Sequence, residues 1–171
     1  MSEELYENYP FSTFCLASIT SLLNFALGAL IFYLIGGTLL GVAYFVIALM
    51  SIVPSMRFRC AYCYYYGKRC STGLGILAGF LFKKRDSGEF NNSKYVTPVA
   101  IISFSVLLLP IIAAIIFMLL DFSLNLLLLF LFYFIIAFVS GLLMRKNLIC
   151  KHCKQGQLGC PAYEGMKGKR G

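Results

Sequence analysis

Three long stretches of this chain carry no Asp, Glu, Lys or Arg: between Asn8 and Met56, between Tyr95 and Leu120, and between Phe122 and Met144. A water-soluble fold of 171 residues does not leave such gaps. Across the chain 13% of residues are charged, against about 25% in an ordinary soluble domain. A helix crossing the hydrocarbon core needs about 20 apolar residues. The first gap is therefore long enough for two spans and each of the others for one. The expected fold is an all-α membrane protein with four transmembrane helices, near Phe11 to Ile35, Gly37 to Val53, Thr97 to Leu120 and Phe122 to Met144. Gly36 and Gly37 break the first pair, because glycine adopts turn dihedrals cheaply. Asp121 marks the polar tip of the second. Pro98 suits a helix first turn behind a capping Thr97, and Pro110 falls mid-span, where it kinks the helix.

All 15 Lys and Arg residues lie between Arg57 and Lys94 or from Arg145 onward, the two segments on one side of a four-span topology. The positive-inside rule makes that side cytoplasmic. The expected location is the cell membrane, multi-pass, with both termini in the cytoplasm. Met1 to Asn8 carries Glu3, Glu4 and Glu7 in place of a basic region, so it does not read as a cleavable signal peptide. The basic rim attracts anionic lipid headgroups, at about 1 kcal/mol per residue near the surface. These charges flank spans and form no nucleic-acid module, so no nucleic-acid partner is expected.

An internal repeat organises the chain. Cys60, Cys63 and Cys70 recur as Cys150, Cys153 and Cys160, each displaced by 90 positions and each set spaced C-x2-C-x6-C. Each triad follows a two-helix hairpin through a short basic linker, Arg57 to Arg59 or Arg145 to Lys146. The domain plan is an N-terminus (1–10), a first repeat (11–75), an interfacial segment and linker (76–96), a second repeat (97–165) and a basic tail (166–171). Both halves begin and end on one side, so a pseudo-twofold axis along the membrane normal is expected. The apolar run Gly73 to Phe82 is too short to span and reads as an interfacial helix or a segment packed on the bundle. The polar run Asp86 to Ser93 then leads back into the third span.

Paired cysteines two residues apart, with a third further on, are a thiolate metal-site pattern. Gly67, Gly156 and Gly159 let the chain fold back around each triad. Lys68, Arg69, Lys151 and Lys154 are expected to offset thiolate charge and depress the thiol pKa values. Lys68, Arg69 and His152 are candidate second-sphere groups; His152, lying between two ligands, would point away from the metal. Three ligands are one short of tetrahedral zinc, which suggests sharing between halves. An iron-sulfur cluster drawing four cysteines from both triads is the alternative, and soft heavy-metal handling comes third. Stable disulfides are disfavoured on the cytoplasmic side. With one histidine, bis-histidine haem is excluded.

Cys15, inside the first span, reads as a small buried apolar residue. Asn24 and Asn125 read as interhelical hydrogen-bonding groups, and Tyr62, Tyr64, Tyr65 and Tyr66 as interfacial anchors. No span holds an ionisable residue, so the marks of an ion-coupled transporter are absent. There is no nucleophile and base pair, no paired carboxylates and no phosphate loop. The expectation is a non-catalytic metal-binding scaffold or accessory subunit of a membrane complex, with protein partners. The rival is an iron-sulfur electron carrier between a soluble donor and a quinone or partner enzyme.

The spacing C-x2-C-x6-C, given twice, resembles that of fungal binuclear zinc-cluster transcription factors, in which six cysteines hold two zinc ions. That resemblance implies bridging roles for Cys60 and Cys150 and covers only the spacing. The runs CAYCYYYGKRCSTGLG (Cys60 to Gly75) and CKHCKQGQLGCPA (Cys150 to Ala162) are similar to those in a group of small prokaryotic, notably archaeal, membrane proteins. That likeness implies no activity.

Overall fold

The computed structural model describes residues 5–90, 96–160 and 163. The expectations for Glu3, Glu4, positions 91–95 and the basic tail 166–171 lie outside the described residues. The chain is all-helical, and among the described residues the only extended pairing is one parallel bridge between Tyr6 and Cys153. The elements are α1 (Phe11–Met50), α2 (Ile52–Phe58), α3 (Leu74–Leu81), α4 (Val96–Leu120), α5 (Leu124–Phe138) with a π-helical continuation (Val139–Ile149), and α6 (Lys154–Gln157).

Among the described residues three helical stretches are long and apolar enough to cross a membrane: Phe11–Tyr62, Thr97–Leu120 and Leu124–His152. Their outer faces are apolar. Leu39 and Leu119 are each 82% exposed, a surface that only lipid or a partner makes tolerable.

The first stretch is not one rod. Gly36 (φ −145°, ψ 22°) and Gly37 (φ 79°, ψ −172°) leave helical geometry, and Gly37 takes a positive φ that side chains disfavour. The flanking limbs of α1 then pack on each other. The Phe32 and Tyr44 rings stack at 4.9 Å. A Cβ at Gly28 would sit 2.6 Å from the Tyr44 ring, and one at Gly41 2.9 Å from the Ala29 carbonyl. Small residues at a crossing allow this close backbone approach. The second limb closes at Met50, short of the expected Val53, because Ser51 separates it from α2.

α4 begins at Val96, so Thr97 lies in the first turn and does not cap it. Pro110 sits inside α4 as expected. Its missing N–H frees the Val106 carbonyl, four residues back, and the Tyr44 hydroxyl donates to that oxygen at 2.9 Å. The Tyr133 hydroxyl donates to the neighbouring Leu107 carbonyl at 2.8 Å. A backbone group freed in lipid must find such a partner. Both tyrosines are buried and tie α1 and α5 to the same turn of α4.

The core packs Leu27 and Ile31 of α1 with Ala114 of α4 and with Leu126, Tyr133 and Ala137 of α5. Ile35 and Met118 join this cluster, so the reversals at Gly36–Gly37 and near Asp121 share one end of the bundle. Asn24 donates from Nδ2 to Ser140 Oγ at 3.0 Å, the interhelical role expected of it. Asn125 is exposed. α3 packs through Gly75 and Ala78 and leaves Phe80 85% exposed.

Candidate metal centre

The two cysteine loops fold alike. Each opens with a 3-10 turn, Cys60–Tyr62 in one and Cys150–His152 in the other. The Cys63 N–H donates to the Cys60 carbonyl at 3.2 Å, and the Cys153 N–H to the Cys150 carbonyl at 3.3 Å. Three residues further on, the Tyr66 and Gly156 amides donate to the Cys63 and Cys153 carbonyls at 3.0 and 3.1 Å. The third cysteines match too: the Gly73 and Tyr163 amides donate to the Cys70 and Cys160 carbonyls at 3.2 and 2.9 Å. The Gly75 amide lies 3.3 Å from Cys70 Sγ.

Gly67 and Gly159 take positive φ, 71° and 97°, in line with the expected fold-back. Gly156 does not. It lies in α6, where a Cβ would meet the Tyr163 ring at 2.7 Å.

The two loops meet. The Tyr64 amide donates to Gln155 Oε1 at 2.6 Å, and the Lys154 amide to the Tyr65 hydroxyl at 3.1 Å. Cys63 and Cys160 both pack on the cluster of Ala61, Tyr62 and Phe90. Burial, the largest influence, pushes the Cys63 thiol up to about 12. Cys153 is raised by burial as well, against opposing hydrogen bonds from the Gly156 and Gln155 amides. A charge on Cys153 bears on Cys63.

These directions correct the expectation that nearby lysines depress the thiols. Lys68 and Lys154 are instead paired with Glu7, whose carboxylate is lowered to about 2, chiefly by Lys154 and then by the Tyr64 hydroxyl. Arg69 engages the same segment through its backbone: its carbonyl accepts from the Tyr9 amide at 3.0 Å.

All seven cysteines are free thiols. Among the described residues no three His, Cys, Asp or Glu side chains form a metal-ligating group. Loading a metal here therefore requires thiol rotation and loss of thiol protons.

The N-terminal segment is the part of the site that sequence reasoning missed. Tyr6 donates its amide to the His152 carbonyl at 3.1 Å and accepts from the Tyr65 hydroxyl at 2.8 Å. Its ring stacks on His152 at 4.7 Å. The buried Tyr9 hydroxyl donates to the Ile149 carbonyl at 2.7 Å. Tyr6 to Tyr9 is thus a strap laid across both cysteine loops. The signal available for it was charge complementarity, an acidic head against two basic loops. Tyr62 and Tyr65, read as lipid anchors, are 5% and 2% exposed inside the cap. Arg85 donates to the Tyr62 hydroxyl at 2.8 Å and lies over its ring. Cys15, half-buried in α1, takes no part.

No family model, curated protein or solved structure matches this chain. The class it belongs to is therefore the one its fold defines, an all-helical protein with membrane-spanning-capable helices and a cysteine-rich cap at one end.

Proposed function

We propose that this protein is a four-span integral membrane protein whose six loop cysteines hold a metal on the cytoplasmic face, and that it serves as a scaffold or accessory subunit of a membrane complex. The supporting observation is the pair of cysteine loops with one hydrogen-bonding pattern, meeting at one end of the bundle. In this reading the two limbs of α1 cross the bilayer separately, so α1, α4 and α5 supply four crossings. The two halves then relate by a pseudo-twofold axis along the membrane normal. The basic loops face the cytoplasm and its anionic lipid.

Zinc is the preferred metal because thiolate sites of this spacing suit it. Buried Gln155 Nε2 has no hydrogen-bond partner among the described residues, and a thiolate centre between the loops offers it an acceptor. Structural thiolate zinc contributes on the order of 10 kcal/mol to small modules, enough to lock the two hairpins together. Elemental analysis and an absorption spectrum on anaerobically purified protein test the reading. Zinc that Cys63→Ser and Cys153→Ser each remove supports it. A visible charge-transfer band with iron and sulfide replaces zinc by a cluster, and the absence of any bound metal overturns both.

A further inference from the structure

Below the cysteine loops the helical limbs enclose a cavity of about 450 Å³, inside the ~300–1,000 Å³ range usual for small-molecule sites. Tyr44 and Tyr133, bonded to α4, line it, and so do Ser18, Asn24, Ser103 and Ser140. That is a polar wall within an apolar bundle.

Two of the lining residues each hold a buried polar atom with no hydrogen-bond partner among the described residues, Asn24 Oδ1 and Ser18 Oγ. Asn24 is 5% exposed. Both of its donor contacts are committed, to the Thr20 carbonyl and to Ser140 Oγ, each at 3.0 Å. What remains is an acceptor. A buried acceptor in a bilayer interior costs free energy unless a donor reaches it, and the chain supplies none among the described residues.

The chemistry of the rest of the cavity narrows the donor. Arg145 is the one charged side chain among the lining residues, so the body of the pocket suits a neutral molecule. Phe25, Val106 and Leu107 give it an apolar side. Leu22 and Leu49, on opposite limbs of α1, line it while being 55% and 40% exposed. The cavity thus opens between the limbs of α1 onto a surface that faces lipid.

We propose that this cavity binds a neutral, membrane-soluble molecule carrying a hydroxyl donor, with the hydroxyl on Asn24 Oδ1 and the apolar body against Phe25 and Leu107. A quinol and a lipid alcohol share this chemistry. The full chain in lipid nanodiscs is titrated with a short-chain quinol, with its dimethyl ether, and with a short-chain diacylglycerol and its hydroxyl-methylated analogue, and binding is read by thermal shift and native mass spectrometry. A hydroxylated probe should bind at least about tenfold more tightly than its methylated partner, the difference one buried hydrogen bond supplies. Whichever pair shows that gap identifies the source.

Asn24→Leu should erase the gap. Ser140→Ala, which keeps the Asn24 acceptor, should preserve it. Should Asn24→Leu fail to fold, the comparison of each probe with its ether on the wild-type chain decides alone. Equal binding of hydroxylated and methylated probes, or binding of neither, overturns the proposal and leaves a water-filled cavity.

Discussion

The Val106 carbonyl shows how one residue creates a need that others meet. Pro110 withholds the amide that would have served it, and Tyr44 supplies a hydroxyl. Tyr44→Phe should therefore destabilise the protein by about 1 kcal/mol, the usual value of such a bond. Pro110→Ala returns a donor to the helix. In that background the cost of Tyr44→Phe should shrink markedly, and a double-mutant cycle followed by thermal unfolding in detergent measures the coupling. At the other end, Glu7 is an acid whose carboxyl is lowered from the usual 4.5 to about 2. Because its pKa is lowered in the fold, its contribution is fully present above 4.5 and is lost as pH falls toward 2. The protection factors of the Tyr6 and Tyr9 amides, exchange rates corrected for the intrinsic pH dependence, should fall over that window in the wild type. In Glu7→Gln they should already be lower at pH 7 and change little on acidification.

At the scale of elements, the reversal at Gly36–Gly37 depends on two separate properties of glycine. Gly37 needs its positive φ, so Gly37→Ala should cost about 1–2 kcal/mol. Gly28 needs its missing Cβ, because the Tyr44 ring occupies the space. Gly28→Leu should separate the limbs of α1, with a larger loss of thermal stability than Gly37→Ala and a loss of the Tyr44–Val106 hydrogen bond. An added cavity mutation at Tyr44 should then cost little further, which thermal unfolding of the double variant checks. The second half solves a different problem. Gly37 precedes Cys60 by 23 positions and Asp121 precedes Cys150 by 29. The stretch Val139–Ile149 is wound as a π-helix, which uses more residues per turn than an α-helix. Extra residues are taken up in winding, and both cysteine loops still reach the same end.

For the whole molecule, the strap of Tyr6 to Tyr9 places the N-terminal segment and both cysteine loops together, away from the two reversals. The proposed four-span topology sets what reporter fusions should read. A reporter inserted at Gly36–Gly37 or beside Asp121 should read as external, and one after Lys84 as cytoplasmic. A reporter at Asp121 reading as cytoplasmic would remove the four-span topology. Much of the helical fold was legible in the sequence. Charge-free length gave apolar spans, since the bilayer sets a fixed thickness; the paired glycines gave the break; the 90-position offset gave two like loops, and the structure folds them alike.

The sequence by itself determined that the chain is helical and apolar, where it breaks, and which cysteines form sets, because each of these depends on local propensity or on composition along a short window. The tertiary structure alone decided what those residues meet. Burial between loops raised the thiols that neighbouring lysines were expected to lower, since the lysines pair with Glu7 from a segment more than 60 positions away from either. Tyr62 and Tyr65 face inward because the strap and Arg85 cover them. The cavity beneath is formed by residues of α1, α4 and α5 brought together, and it leaves Asn24 Oδ1 without a hydrogen-bond donor among the described residues. None of these pairings is encoded at a spacing that a single strand of text displays.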